Sequence, residues 1–126
     1  MKVYEEKFDR WWLFFGGALF LHGTSYFKHK ELAVPIHVRM EEMVHYQQWK
    51  EYQEQGLSKW EFYRVWFSNM IAYLDETDGK NLMDAYTNNE LEKVAKYMAS
   101  LYELDYLNNF RHTMSLKEYI ITKSGE

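Results

Sequence analysis

Apolar positions recur at helical spacing through most of the chain, and they crowd into short blocks near its start. Pro35 suits a first helical turn, where its missing N–H is not needed, and the pattern then stays helical until Gly56 supplies a stop. On this first helix Arg39, Tyr46, Lys50 and Gln53 share one stripe. Val34, Val38, Met40, Val44, Trp49 and Tyr52 cover most of the remaining circumference, which predicts a largely buried helix. Ser58 and Glu61 have the spacing of a capping box, and Trp60, Tyr63, Phe67, Met70, Ile71 and Leu74 trace a second helix ending near Asp75. Thr77-Asp78-Gly79 reads as a turn. Thr87 with Glu90 has capping-box spacing again, and Leu91, Val94, Met98, Leu101 and Tyr102 mark a third long helix to about Leu107. Ser115 with Glu118 starts a short last helix.

Before Pro35 the spacing changes. Leu13 to Leu21 and Thr24 to Lys28 are aromatic and apolar around His22-Gly23, which predicts an N-terminal β-hairpin. The run from Trp11 to Leu21 reads as buried strand, since it falls well short of the roughly 18 residues that span a bilayer. A signal peptide is the rival reading, with Lys7 and Arg10 ahead of the run. Glu5, Glu6 and Asp9 spoil its basic start, and no small-x-small cleavage site follows. The expected class is α+β, mainly helical, with the hairpin beside three main helices.

The 126 residues suit one domain, and nothing marks a linker. Aromatic residues make up 19% of the chain, so the core should be rich in rings. Cysteine is absent, which leaves His, Asp and Glu as the only ligands for a metal and fits a reducing, cytoplasmic setting. With a net charge of −4 and no cluster of five basic residues, neither nucleic acid nor a membrane is an expected partner.

The chemistry concentrates on the first helix. Residues four apart share a helical face, so His37, Glu41 and His45 line up with Gln48 among valines. Burying imidazole and carboxylate there is costly unless they are paired, hydrogen-bonded or bound to metal. One explanation is a set of partly solvated Glu–His pairs without function, and another is a metal site. A third is a di-iron carboxylate bundle, because Glu42 to His45 is a Glu-x-x-His element, but that site needs a second copy and the sequence has none. Glu41-Glu42-Met43-Val44-His45 also reads as the zinc-peptidase motif HExxH with its first histidine replaced by Glu41.

The stretch from Glu41 to Tyr52, an aromatic helix, and then Ala85-Tyr86-Thr87-Asn88-Asn89-Glu90-Leu91-Glu92-Lys93-Val94-Ala95 together resemble a family of small zinc metallopeptidases of bacteria and phages. The likeness covers roughly residues 14 to 100. It implies a minimal zincin-like fold, a peptide or protein as substrate or partner, and Zn or another divalent metal as cofactor. By this resemblance His45 matches the second zinc histidine, Glu42 the general base, and Glu92 the third ligand. Glu41 stands where the first histidine belongs. The metal set would then be Glu41, His45 and Glu92, with Ala95 allowing close approach of the third helix.

A Glu/His/Glu set adds a negative charge to the usual one, which weakens zinc as a Lewis acid and shifts preference toward Mn or Fe. His37 is a candidate replacement nitrogen, but it lies two turns, about 12 Å of rise, from His45. His22, His29 and His112 read as loop or strand residues. Two functional expectations follow: a metal-dependent peptidase-like hydrolase with little or no activity, or a non-enzymatic binding or structural protein that keeps the fold.

Overall fold

The computed structural model describes residues 3–13, 16–77 and 82–126. Three short strands form one sheet in the order β1 (Glu5–Lys7), β3 (Thr24–Phe27), β2 (Ala18–Leu21). β2 and β3 make the expected antiparallel hairpin, with Leu21 opposite Thr24 across a two-residue turn. His22 at φ 46° and Gly23 at φ 90° both take positive φ, the backbone that a tight turn between right-twisted strands requires. β1, which the sequence pattern missed, runs parallel to β3 with Glu5 opposite Thr24. Three residues are too few for a visible alternation.

The run from Trp11 to Leu21 is not one buried strand. Leu13 is buried and strand begins only at Ala18, but Trp11 is 84% exposed in a turn and Leu21 is exposed. Phe14 and Phe15 lie outside the described residues, as do Asp78 and Gly79 of the predicted turn.

Among the described residues five α-helices follow the sheet: α1 (Ile36–Glu54), α2 (Glu61–Glu76), α3 (Leu82–Thr87), α4 (Glu90–Asp105) and α5 (Leu116–Ser124). The protein is therefore α+β and mainly helical. α1 is the central element and touches β2, β3, α2, α4 and α5. It stops where expected: Gly56 takes φ 88°, its N–H bonds the Gln53 carbonyl, and the Leu57 N–H reaches back to Tyr52. That pair of bonds satisfies the carbonyls a helix end leaves open. No helix among the described residues is long and apolar enough to cross a membrane.

Several capping and burial expectations are corrected. Ser58 does not close a box with Glu61; its hydroxyl accepts the Trp60 N–H, and the Glu61 carboxylate pairs with Arg64 instead. Thr87 ends α3, a short helix that the pattern did not foresee, and Asn89 caps α4. Ser115 does cap α5, accepting from the Glu118 N–H at 3.1 Å. α4 itself ends at Asp105, just short of the expected Leu107, and the chain continues directly into a π-helical stretch, Tyr106–Phe110. Tyr46, suggested by its polar stripe as a surface aromatic, is buried among Tyr4, Phe20 and Trp49. Arg39 on the same stripe is buried too, forking onto Glu6 at 2.8 and 3.0 Å beneath the Phe8 ring. The sheet covers the Arg39 and Tyr46 end of that stripe, while Lys50 farther along it donates to the Ser124 carbonyl of α5.

The face α4 turns to the core is small. Ala95 and Ala99 are fully buried, whereas Val94 and Leu101, expected inside, are exposed. Small side chains let two helix backbones come close, which brings the first turn of α4 beside the middle of α1. Asn89 holds that turn: its side chain accepts the Leu91 N–H at 3.0 Å and donates to the Trp66 carbonyl at 3.0 Å, joining α4 to α2. Asn89→Ala is expected to cost about 2 kcal/mol, because it removes both the cap of α4 and the side-chain bond that ties this turn to α2. Urea unfolding checks this, with Asn89→Asp recovering the cap alone.

Candidate functional site

α1 and α4 bring together two of the three side chains that the motif reading grouped as ligands. His45 and Glu92, 47 residues apart in sequence, meet with Nε2 of the imidazole 3.2 Å from one carboxylate oxygen and 3.3 Å from the other. Both side chains are buried. On its other side His45 faces Gln48, with 2.9 Å between Nδ1 and Oε1, and the Gln48 amide nitrogen donates to the Leu91 carbonyl at 3.1 Å. That second bond fixes which end of the amide His45 sees. Nδ1 must then carry a proton for Gln48, and Nε2 meets a carboxylate that accepts only, so the arrangement calls for a doubly protonated imidazolium.

Glu92 has further support. The Trp66 indole donates to it at 2.9 Å, and the Tyr86 hydroxyl bonds it as well. Burial pushes the Glu92 carboxyl up, but the His45 hydrogen bond and charge, with Trp66 and Tyr86, outweigh burial and hold it below the usual range. Burial likewise opposes the charge on His45. The Glu92 hydrogen bond, the charges of Glu42 and Glu92, and Gln48 together overcome it and raise the imidazole to about 9. The two partners shift in the directions of a stable buried ion pair.

Glu42 sits beside this pair, buried, without a hydrogen bond among the described residues. Burial raises its carboxyl to about 7, with His45 pulling it down while Glu92 and Glu41 push it up. It is the odd charge of the cluster, because Glu6 already answers Arg39 and Glu92 already answers His45. The same environment raises the Tyr86 phenol, through burial first and then the neighbouring Glu92, Glu42 and Glu41 charges.

Glu41 is directed elsewhere. Its carboxylate lies 2.8 Å from Nε2 of His37, one turn earlier on α1, in a pair that is partly open to solvent. His37 therefore holds Glu41 rather than replacing it near His45. His22 lies in the hairpin turn against Trp49, Trp60 and Tyr63, and His29 and His112 are exposed.

Whether these residues suit a metal can be tested on their geometry. Two ligands of a tetrahedral zinc ion, each about 2.0–2.1 Å from it, lie roughly 3.3 Å apart, and an Nδ1–H held by an acceptor is the usual support for a zinc histidine. His45 and Glu92 match that half of a site. The third donor fails, because Glu41 is bound to His37, and among the described residues no group of three His, Asp or Glu side chains is arranged to hold a metal ion. The set does not fit a three-ligand zinc centre. Two surface clefts, of about 460 and 360 Å³, are lined by residues such as Leu32, Ile36 and Leu116, or Gln47, Lys50 and Tyr102, and neither of these two includes Glu42, His45 or Glu92.

Sequence reasoning picked out Glu42, His45, Gln48 and Glu92 but missed Trp66 and Tyr86, which hold Glu92 in place. A signal existed for Trp66, which falls one turn from Phe62 and Met70 on the buried side of α2. No protein-family model, curated protein or solved structure matches the chain.

Proposed function

We propose that this chain is a zincin-related protein that has given up metal-dependent hydrolysis, and that it now works by binding a peptide or protein partner. The observation that carries the reading is the meeting of His45 and Glu92 across α1 and α4, at the motif positions that would share an ion, while Glu41 is engaged by His37. A proton on His45 takes the place of the ion's charge between the same two side chains. Glu42, at the position of the general base, lies among buried side chains and lines neither of the two clefts described above. The buried cluster then serves to fix α1 against α4, and binding falls to the surface. The lack of cysteine suits a cytoplasmic setting in a bacterium or an infected cell.

Metal analysis of the protein purified without chelator, with a peptidase assay, tests both parts. The natural chain is expected to carry no stoichiometric Zn, Mn or Fe and to leave peptides intact. Glu41→His should gain zinc, because it supplies a second imidazole one turn before His45. Stoichiometric metal in the natural protein, with peptide cleavage abolished by Glu42→Gln, would show an active enzyme and overturn the loss of hydrolysis. A Glu41→His variant that folds but takes no zinc would remove the zincin lineage.

A further inference from the structure

The sheet has one end with a different character from the rest of the molecule. β1 and β3 are parallel, so the segments that follow them, 8–13 and 28–33, leave from the same end. Backbone bonds tie them together, Asp9 N–H to the His29 carbonyl at 2.9 Å and Arg10 N–H to the Phe27 carbonyl at 3.0 Å. This shared end projects Trp11, 84% exposed, and Leu32, 100% exposed, with Trp12 beside them resting on Tyr26. Lys28 and Lys30 are exposed on the same segments. On these two segments Arg10, Lys28 and Lys30 stand against Asp9 and Glu31, an excess of one positive charge in a chain whose net charge is −4.

We propose that this end of the sheet docks on an anionic lipid surface, with Trp11 and Leu32 entering the headgroup region and Lys28 and Lys30 meeting lipid phosphates. Indole is the side chain best suited to that boundary, since its ring is apolar and its N–H still finds water or a headgroup. A lysine ammonium adds attraction to an anionic leaflet without entering it. Leu32 separates the candidate partners. A fully projecting aliphatic side chain gains nothing from stacking on nucleic-acid bases, and against a rigid protein it needs a matching pocket, whereas a bilayer surface yields to it. No spanning helix is involved, and the inference does not depend on how the buried cluster is read.

Co-sedimentation of the full chain with vesicles of phosphatidylcholine alone, and of phosphatidylcholine doped with phosphatidylserine, provides the test. Binding is expected to be tighter to the doped vesicles and to weaken with salt. Trp11→Ala and Leu32→Ala should each lower partitioning about tenfold. Lys28→Ala and Lys30→Ala should each lower it about fivefold on doped vesicles only. These side chains are exposed, so unfolding midpoints should stay put, and quenching of tryptophan fluorescence by brominated lipid reads insertion in the natural chain without any substitution. Failure to sediment with either vesicle overturns the proposal, as does binding that all four variants retain. So does capture of a single-stranded oligonucleotide through the same residues while vesicles are ignored.

Discussion

Glu92→Ala should destabilise the protein by about 3–5 kcal/mol near pH 6, the range for removing one partner of a buried ion pair. The loss is large because His45 stays behind with its proton, and Trp66 loses the acceptor of its indole N–H. Replacing the whole cluster is a different experiment. Glu42→Met, His45→Leu and Glu92→Met together remove the charges that must otherwise be desolvated, so this triple variant is expected to lose less than Glu92→Ala, although Trp66, Tyr86 and Gln48 still give up a partner. Urea unfolding of both gives the comparison. A Glu92→Ala protein within about 1 kcal/mol of the natural one would mean that the pair is not formed.

Stability should fall as the solution is made more alkaline, from about pH 5 to pH 9, and Glu42→Gln should remove the lower part of that fall. Glu42 has its carboxyl raised from 4.5 to about 7, so the folded protein holds a proton that the unfolded chain releases, and stability declines between those values. His45 is raised from 6.5 to about 9; its contribution is complete below 6.5 and disappears as pH rises through 9. Glu92 acts in the opposite sense. Its carboxyl is lowered, so its contribution is present above 4.5 and is lost on further acidification. The optimum therefore lies near pH 5. The two alkaline declines share Glu42 and His45 as neighbours, and together they amount to about 3–6 kcal/mol. At pH 8 Glu42→Gln should be more stable than the natural protein by about 1–3 kcal/mol, since it removes a buried charge without a hydrogen-bond partner. Denaturation midpoints measured at pH 5, 7 and 9 decide the matter, and a flat profile for the natural chain would contradict this account of the cluster.

Helix positions were legible in the sequence because Pro35, Gly56 and Ser115 act locally, through φ and through single hydrogen bonds. The faces of those helices were less legible. Large apolar side chains at regular spacing suggested that Val94 and Leu101 are inside, but the close approach of α4 to α1 is made by Ala95 and Ala99, which a hydrophobic pattern weights lightly. Tyr46 and Arg39 looked like a polar stripe because their partners, Phe20 and Glu6, come from the sheet. For the site, spacing on α1 fixed which side chains could share a face, and likeness of the 85–95 stretch pointed to Glu92. The diversion of Glu41 to His37 was hidden because both neighbours of Glu41, one turn either side, are histidines. Helical spacing alone makes them equal, and tertiary burial of His45 by Glu92 breaks the tie.

The 47-residue separation of His45 from Glu92 also bears on the chain's history during synthesis. At about 5–20 residues per second, α1 leaves the ribosome roughly 2–9 s before the turn that completes its polar row exists. During that interval His45 and Glu42 titrate as ordinary solvated groups, and the apolar remainder of α1 has only the sheet and α2 to shelter it. The nascent intermediate should accordingly be a hairpin–α1–α2 unit exposing the groove that Ala95 and Ala99 later fill, and this groove is the surface on which a holdase would act.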